Sequence, residues 1–502
     1  MKVANTLNKI FYGVFGVIVF LILIGDFLVY KGFSVQVKHI LYAVIWVVIF
    51  AAALFFFQWK KKFINKHFKW IVAISLVIYA MIQFYFVWVY HNYPPVNDYY
   101  FVRRAADSLW QGGALDNEGY LYLARYQHQW GYFALSYLWT IVFHIFDVSY
   151  VWPASMTNII VCAATFLITA LVCKKLWNPV IGIFGLFLCL STYPFAYGMI
   201  MAYTDTLSML APILGFYIYL CAKEKPTLWK YALMGLVFAI GALIKPTVLA
   251  MFIAIIIDIF VNMLRTKDKA IMQNIVRVGV AIVVIIALNM TFTSIMKATV
   301  LTDSERLARE KMPIANWIMI GVGEGKYELG YFDWEDFLYL ASLPDVQTRS
   351  VEAMRLAKER LTARGFGGNV NFYARKMHDD MLDGTMFIVD FIVRYEFPIA
   401  TLEKHPIAFG LLGREFDMKF GNNLSMNGNR VAIFAIILVY VYMLIRGRKR
   451  IPENSAPFYA IFGLIIFLLF WEQSPRLSTC FVPILYIGLL QAICSLSEGK
   501  NQ

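Results

Sequence analysis

Hydrophobic positions in this chain come in long unbroken runs rather than in alternation with polar ones. The stretch IFYGVFGVIVFLILI at 10–24 is one such run, and it lacks the period-two pattern of a barrel strand. A hydrocarbon core of about 30 Å takes roughly 20 apolar residues in a helix, and only helices or closed barrels satisfy the backbone there. Runs near that length recur and predict about twelve spans. They fall at 10–31, 37–57, 69–90, 152–173, 179–200, 206–221, 229–245, 247–264, 273–294, 430–446, 457–471 and 477–495. The first run is too long, and lacks the small-residue cleavage site, to read as a removed signal peptide.

The polar remainder falls into two large blocks, 91–151 and about 295–429. In the second, SVEAMRLAKERLTARG at 350–365 has helical spacing. Arg349, Glu352, Arg355 and Glu359 alternate there with Val351, Met354, Leu356 and Leu361, and Gly365 is placed as a C-terminal stop. A structureless loop of that length is unusual, so this block predicts a small folded domain. The expected architecture is an all-α polytopic membrane protein. Residues 1–294 form an N-terminal transmembrane module whose external loop, 91–151, carries interfacial helices. An external α-rich domain follows over 295–429, and transmembrane helices close the chain over 430–502.

Composition and charge then set compartment and orientation. Residues are 60% hydrophobic and 15% charged, against about 25% charged in soluble domains, which excludes a soluble enzyme. Lys and Arg cluster at 59–69, 173–177, 223–230, 265–269 and 446–450. All five clusters share one side if 131–146 does not cross, and its shortness and Tyr, Trp and His content suit an interfacial or re-entrant helix. Positive residues favour the cytoplasmic side. That places both termini inside a plasma membrane and the two polar blocks outside. The net charge of +13 then reflects anchoring to anionic lipid rather than nucleic-acid binding. The six cysteines lie in or beside apolar runs without a CxxC pair and read as small buried residues.

Chemistry is sought where polar residues border the apolar runs. In YPPVNDYYFVRRAADSLWQGG at 93–113, Pro94 and Pro95 stop the preceding span and an amphipathic helix follows. Asn97 or Asp98 can cap that helix, and Asp98 can equally be a catalytic base where the chain emerges into water. Phe101, Ala105 and Leu109 share one helical face; Arg103, Arg104 and Asp107 lie toward the other, and Arg103 is a candidate substrate contact. Asp205, in YTDTLSM, sits between two apolar spans, either as an N-cap or as a functional border acid.

Lys245, in IGALIKPTVLAMF, interrupts an apolar stretch, and Pro246 breaks its helix. An unpaired buried cation is costly, so Lys245 should meet Asp205, Asp98 or an anionic ligand. In WEQSPRLS at 471–478, Pro475 disfavours a continuous helix and predicts a turn carrying Glu472 and Arg476. The planar fork of Arg suits phosphate oxygens; a snorkelling surface pair is the other reading. His128, in RYQHQWGY, lacks metal-ligand spacing and suits substrate hydrogen bonding or aromatic packing. Asp26 and Asp258 stand without polar neighbours and read as structural.

The sequence has no P-loop, no GxGxxG after a strand and no HExxH. It does have an ordered set: NDYYFVRRAADSLWQGG, RYQHQWGY, YTDTLSM, ALIKPTVL, PIANWIMIGVGEGKYELGYFDWED, MHDDMLDGTMF and WEQSPRLSTCFVPIL. By order and spacing over most of the chain, this set resembles the GT-C superfamily of polytopic glycosyltransferases. The match is to the bacterial, Gram-positive-type branch similar to GPI and protein mannosyltransferases. The resemblance implies a polyprenyl-phosphate sugar donor, an external cell-envelope acceptor (glycan, lipid or protein) and inversion at the anomeric carbon. It implies Asp98 as base, Lys245 and Arg476 as partners of the leaving phosphate, and Asp205 as a residue that orients the acceptor or holds Lys245. Asn316, Trp317 and the glycines of 321–325 are expected to form a substrate-facing loop, or else an ordinary turn, and Glu472 and His128 are expected to face substrate. The single Asp98 and the Asp205–Thr206 pair depart from the paired acids of metal-dependent relatives, so no metal or other cofactor is indicated. A lipid-linked polysaccharide polymerase or ligase shares such a span count but leans on external Arg and His. A transporter needs broken or charged helices near the midplane, often in inverted repeats, and no repeat is visible.

Overall fold

The computed structural model describes residues 33–90, 97–192, 202–266, 271–325, 329–382 and 454–498, with isolated positions before 33. Every regular element among the described residues is helical. Five helical segments there are long and apolar enough to cross a membrane: Lys61–Val89, Val151–Leu176, Thr204–Glu224, Pro246–Leu264 and Ile271–Thr299. Shorter apolar helices, Val44–Trp59, Pro179–Ser191, Leu228–Ile244 and Ala456–Phe470, lie beside them. The spans expected at 10–31 and 430–446, and Asp26, lie outside the described residues.

The bundle begins with α1 (Phe33–Trp59) and α2 (Lys61–Tyr90). A peripheral group follows: α3 (Asn97–Gly112), α4 (Asn117–Arg125) and α5 (Trp130–Phe146). Next come α6 (Val151–Leu176), α7 (Pro179–Thr192), the single turn α8 (Thr204–Leu207), α9 (Leu210–Glu224), α10 (Leu228–Ile244), α11 (Leu249–Thr266) and α12 (Ile271–Thr299). The main core joins α2, α6, α7 and α9–α11 to two late helices, α17 (Ala456–Phe470) and α18 (Val482–Glu498). Helix α10 lies closely along α12. A Cβ on Gly235 would stand 2.6 Å from the Ala281 carbonyl oxygen, so only glycine permits that approach.

The two ends of the bundle differ in charge. At one end Lys175 pairs with Glu224 at 2.6 Å. Lys230 there donates to the carbonyls of Cys221 and Lys225. Helix α10 carries Lys230 near its start and Lys245 just past its end, about 22 Å apart at 1.5 Å per residue. Asp258 behaves as the structural acid its sequence context suggested. It accepts from Tyr219, Asn262 and the backbone amide of Ser455, tying α9 and α11 to the start of α17.

Two satellite cores flank the Lys245 end. In one, Phe101, Ala105 and Leu109 of α3 pack with Tyr120, Leu123, Trp130, Phe133 and Trp139 from α4 and α5. After α13 (Ser304–Glu310), whose Leu307 packs into the first of these cores, α14 (Ile314–Gly321), α15 (Trp334–Ser342) and α16 (Val346–Leu382) build the other. Here the expected helix at 350–365 exists, but its buried face differs from the expected one. Val351 and Met354 are exposed, while Ala353 and Ala357 are buried against α14, because short side chains let the two helices lie close. Arg349 is also buried. Its guanidinium donates to carbonyls of Arg309, Lys311, Leu340, Ala341 and Leu343 and so gathers α13, α15 and α16. Gly365 ends the first half of α16 as expected, with φ 62° and ψ −175°, but helix resumes immediately and runs to Leu382.

Candidate active site

Four segments distant in sequence deliver charge to one place. Asp98 lies in the first turn of α3, and its described partners lie on other segments rather than on its own helix. Tyr203, extended just before α8, donates its hydroxyl to Asp98 Oδ2 at 2.7 Å. Gln129 Nε2 donates in turn to that hydroxyl at 2.6 Å. Gln129 sits in the 3₁₀ turn Gln127–Gln129, and Tyr132 anchors the residue before Tyr203 by donating to the Ala202 carbonyl at 2.8 Å. The Gln129–Tyr203–Asp98 chain therefore fixes one carboxylate oxygen.

Asp205 is inside α8 and buried, which removes the N-cap reading. Lys245 leaves α10 with extended backbone, φ −151°, because Pro246 cannot continue the helix. Its ammonium pairs with Asp205 Oδ1, and its side chain is only 7% exposed. Arg476 comes from the 3₁₀ helix Pro475–Phe481, the turn that Pro475 predicted. Nη1 lies 3.3 Å from Asp205 Oδ2 and Nη2 lies 3.9 Å from Asp98 Oδ2, with the guanidinium carbon 5.2 Å from the Tyr203 ring centre. One guanidinium thus spans two acids. Asp98 and Arg476 keep part of their side chains open, 37% and 23%.

Glu472 precedes this turn, within electrostatic reach of Arg476, Asp98 and Lys376. Loss of solvation pushes its carboxyl up to about 7, against the opposing pull of Arg476. His128 is open to solvent yet surrounded by protein, and that surrounding lowers its pKa despite Asp98, leaving the imidazole neutral. Its ring meets Trp317 edge to face at 5.8 Å, and Trp317 stacks on Trp471 at 6.1 Å. Asn316 and Trp317 belong to helix α14 and are buried, so the substrate-facing loop expected there is instead a helix. Arg103 makes its described contacts with Asp107 at 3.4 Å and with the Tyr150 and Phe143 rings, none of them in the cluster.

The sequence assigned no role to Gln129, Lys376 or Asp380, although Gln129 lies in RYQHQWGY and Asp380 in MHDDMLDGTMF. Lys376 Nζ donates to the carbonyls of Gly321, Trp471 and Leu469, and Asp380 accepts from the Ser474 amide at 2.9 Å. Both residues are buried, and burial pushes the Asp380 carboxyl up against the opposing pull of Lys376. The available signal was Lys376 and Asp380 at i and i+4 in a helix that otherwise buries Phe372, Ala374, Met377 and Met381. Among the described residues no group of His, Cys, Asp and Glu is arranged to hold a metal ion.

Helices of membrane-crossing length with a charged cluster at one end define an all-helical integral membrane protein. Over residues 1–487 the sequence matches the family described as conserved hypothetical integral membrane protein, and the chain belongs to that family. No curated protein matches the sequence. Among solved structures, the chain is similar to the archaeal oligosaccharyltransferase AglB from Archaeoglobus fulgidus, determined in complex with an inhibitory peptide and a dolichol-phosphate. Identity is 12% with a TM-score of 0.41; the match covers 86% of this chain, which spans about half (51%) of that one.

Proposed function

We propose that the chain is a GT-C-type membrane glycosyltransferase that moves a sugar from a polyprenyl-phosphate donor to a hydroxyl of a cell-envelope glycan, lipid or protein. In this reading about twelve helices cross the plasma membrane, both termini are cytoplasmic, and the cluster around Asp98 faces outside. Residues 295–429 form an external domain over the transmembrane module. The observation that carries the proposal is the guanidinium of Arg476 placed between a partly open carboxylate, Asp98, and a buried one, Asp205. The placement of the basic clusters at the other end of α10 supports the orientation.

The chemistry follows from those charges. The acceptor oxygen attacks the anomeric carbon, the bond from that carbon to the phosphate oxygen breaks, and the electron pair leaves on the lipid phosphate. The acceptor proton passes to Asp98, a general-base role worth about 10²–10⁴-fold in rate. Tyr203 and Gln129 orient Asp98 through Oδ2, which leaves Oδ1 for the proton. Arg476, the partly open cation, meets the phosphate as its charge grows. Lys245 pairs with Asp205 beneath it. Purified protein given radiolabelled polyprenyl-phosphate sugars and envelope acceptors should transfer label. Asp98→Asn should abolish transfer at unchanged expression and melting; full activity in that variant sinks the base role.

A further inference from the structure

One ammonium at the edge of the cluster closes two helix ends at once. Helix α17 stops at Phe470, and its last carbonyls lack intrahelical partners. Lys376 Nζ lies 3.3 Å from Leu469 O and 2.6 Å from Trp471 O. Its third contact, at 2.6 Å, is Gly321 O at the end of α14. Three N–H donors meet three carbonyls, so this cation is committed to backbone. The segment that follows is held the same way. The Gln473 amide donates to Gly330 O at 2.7 Å, and the Ser474 amide donates to Asp380 Oδ1 at 2.9 Å. Lys376 and Asp380 are one turn apart on the half of α16 beyond Gly365. Residues 469–474 are therefore pinned through their backbone by α16 and its neighbours, and the next residues are Pro475 and Arg476.

We propose that Lys376 is a positioning residue: it fixes the 469–474 segment so that Glu472 and Arg476 face Asp98 and Asp205 as a lipid-phosphate site. The phosphate class rests on the glycosyltransferase reading above. The clamp itself rests only on the backbone contacts. Arg476 has to reach two acids on separate segments with a single side chain. A shift of its turn by an ångström breaks one of those contacts and moves the guanidinium off the position where a phosphate would sit. An apolar side chain at 376 leaves the carbonyls of two helix ends facing one another without a donor.

The test uses the full chain in detergent or nanodiscs, with Lys376→Met against wild type and Tyr219→Phe as a control at the other end of the bundle. Amide hydrogen exchange at Gln473 and Ser474 should accelerate about tenfold in Lys376→Met. Affinity for a short-chain polyprenyl monophosphate should weaken about tenfold. Tyr219→Phe should leave both unchanged. Should Lys376→Met not fold, Lys376→Gln, which keeps N–H donors without charge, is measured identically and should show both changes at smaller size. Unchanged exchange at 473–474 overturns the clamp, and faster exchange at undiminished affinity overturns its role in placing Arg476. Absence of any polyprenyl-phosphate binding by wild type, against the matching alcohol as reference, overturns the glycosyltransferase reading instead, while the exchange result still decides the clamp.

Discussion

Tyr203 donates its hydroxyl to Asp98 across 105 positions of sequence, and the same hydroxyl accepts from Gln129. Asp98 is thereby held by a neutral donor on one side while Arg476 approaches the same oxygen from another. Tyr203→Phe removes the donor but keeps the ring on which the guanidinium rests. Sugar transfer is expected to fall about 10–100-fold in kcat, with the KM for the lipid donor little changed. A loss confined to KM argues that Tyr203 contacts substrate rather than orienting Asp98.

Lys245 and Asp205 form a pair with almost no access to solvent. Removing one member leaves an uncompensated charge, at a cost of about 3–5 kcal/mol. Lys245→Met should therefore lower the unfolding midpoint sharply. The double variant Asp205→Asn, Lys245→Met should recover much of the loss, though Arg476 then loses its nearer acid. Denaturant unfolding of the two variants side by side measures both effects.

The order in which these residues became legible follows their chemistry. Asp98, Asp205, Lys245, Glu472 and Arg476 stood out because charge beside an apolar run is costly and so draws notice. The basic clusters and the order of spans predicted one membrane face for all five; which of them touch is set by tertiary packing. Gln129 and Tyr203 were harder to single out, because neutral polar side chains near a membrane border carry no such penalty. Lys376 escaped because its partners are backbone carbonyls of α14 and α17, and no side-chain pattern encodes a carbonyl acceptor. The helix at 350–365 was visible from its period. Its buried face was not, since Ala353 and Ala357 are chosen by how closely α14 approaches, a tertiary distance.

The break in α16 offers a clean test of backbone strain. A Cβ at Gly365 would meet nothing within 4 Å, so the only obstacle to alanine is the positive φ of 62°. With ψ at −175° this backbone lies in a region open essentially to glycine alone, and Gly365→Ala should destabilise by about 1–3 kcal/mol. Transfer activity should persist if the two halves of α16 keep their angle. Thermal unfolding checks the first expectation, and the labelled-sugar assay checks the second.

Glu472 sets a pH dependence whose sign can be worked out. Its pKa in the folded protein is raised from 4.5 to about 7, so the folded state holds a proton that the unfolded chain has released between those values. The stability contributed by the neutral carboxyl is full below pH 4.5 and is lost as pH rises through about 7. The same deprotonation puts a negative charge beside Arg476, where it opposes an arriving phosphate. Binding of a polyprenyl monophosphate should weaken as pH rises through about 7, beyond any change due to the phosphate's own ionisation. Glu472→Gln should remove that component and leave the remaining profile, which titration of wild type and variant with the same lipid separates. Equal profiles for the two proteins would show that Glu472 does not face the phosphate.

Arg476 is the residue on which the two acids depend together. Its guanidinium offers two nitrogens, one toward Asp205 at 3.3 Å and one toward Asp98 at 3.9 Å. Lysine carries the same charge at a single point and on a shorter reach, so it can serve one acid but not span both. In Arg476→Lys the ammonium should settle on buried Asp205, where desolvation makes the charge most costly to leave unpaired. The open side toward Asp98 then loses its cation. Melting should stay close to wild type, while the KM for the lipid-phosphate donor rises about tenfold or more. Arg476→Met, by contrast, leaves Asp205 with Lys245 alone and should weaken donor binding further without the partial rescue. A lysine variant with wild-type KM would show that charge alone suffices and that the span between Asp98 and Asp205 is incidental to binding.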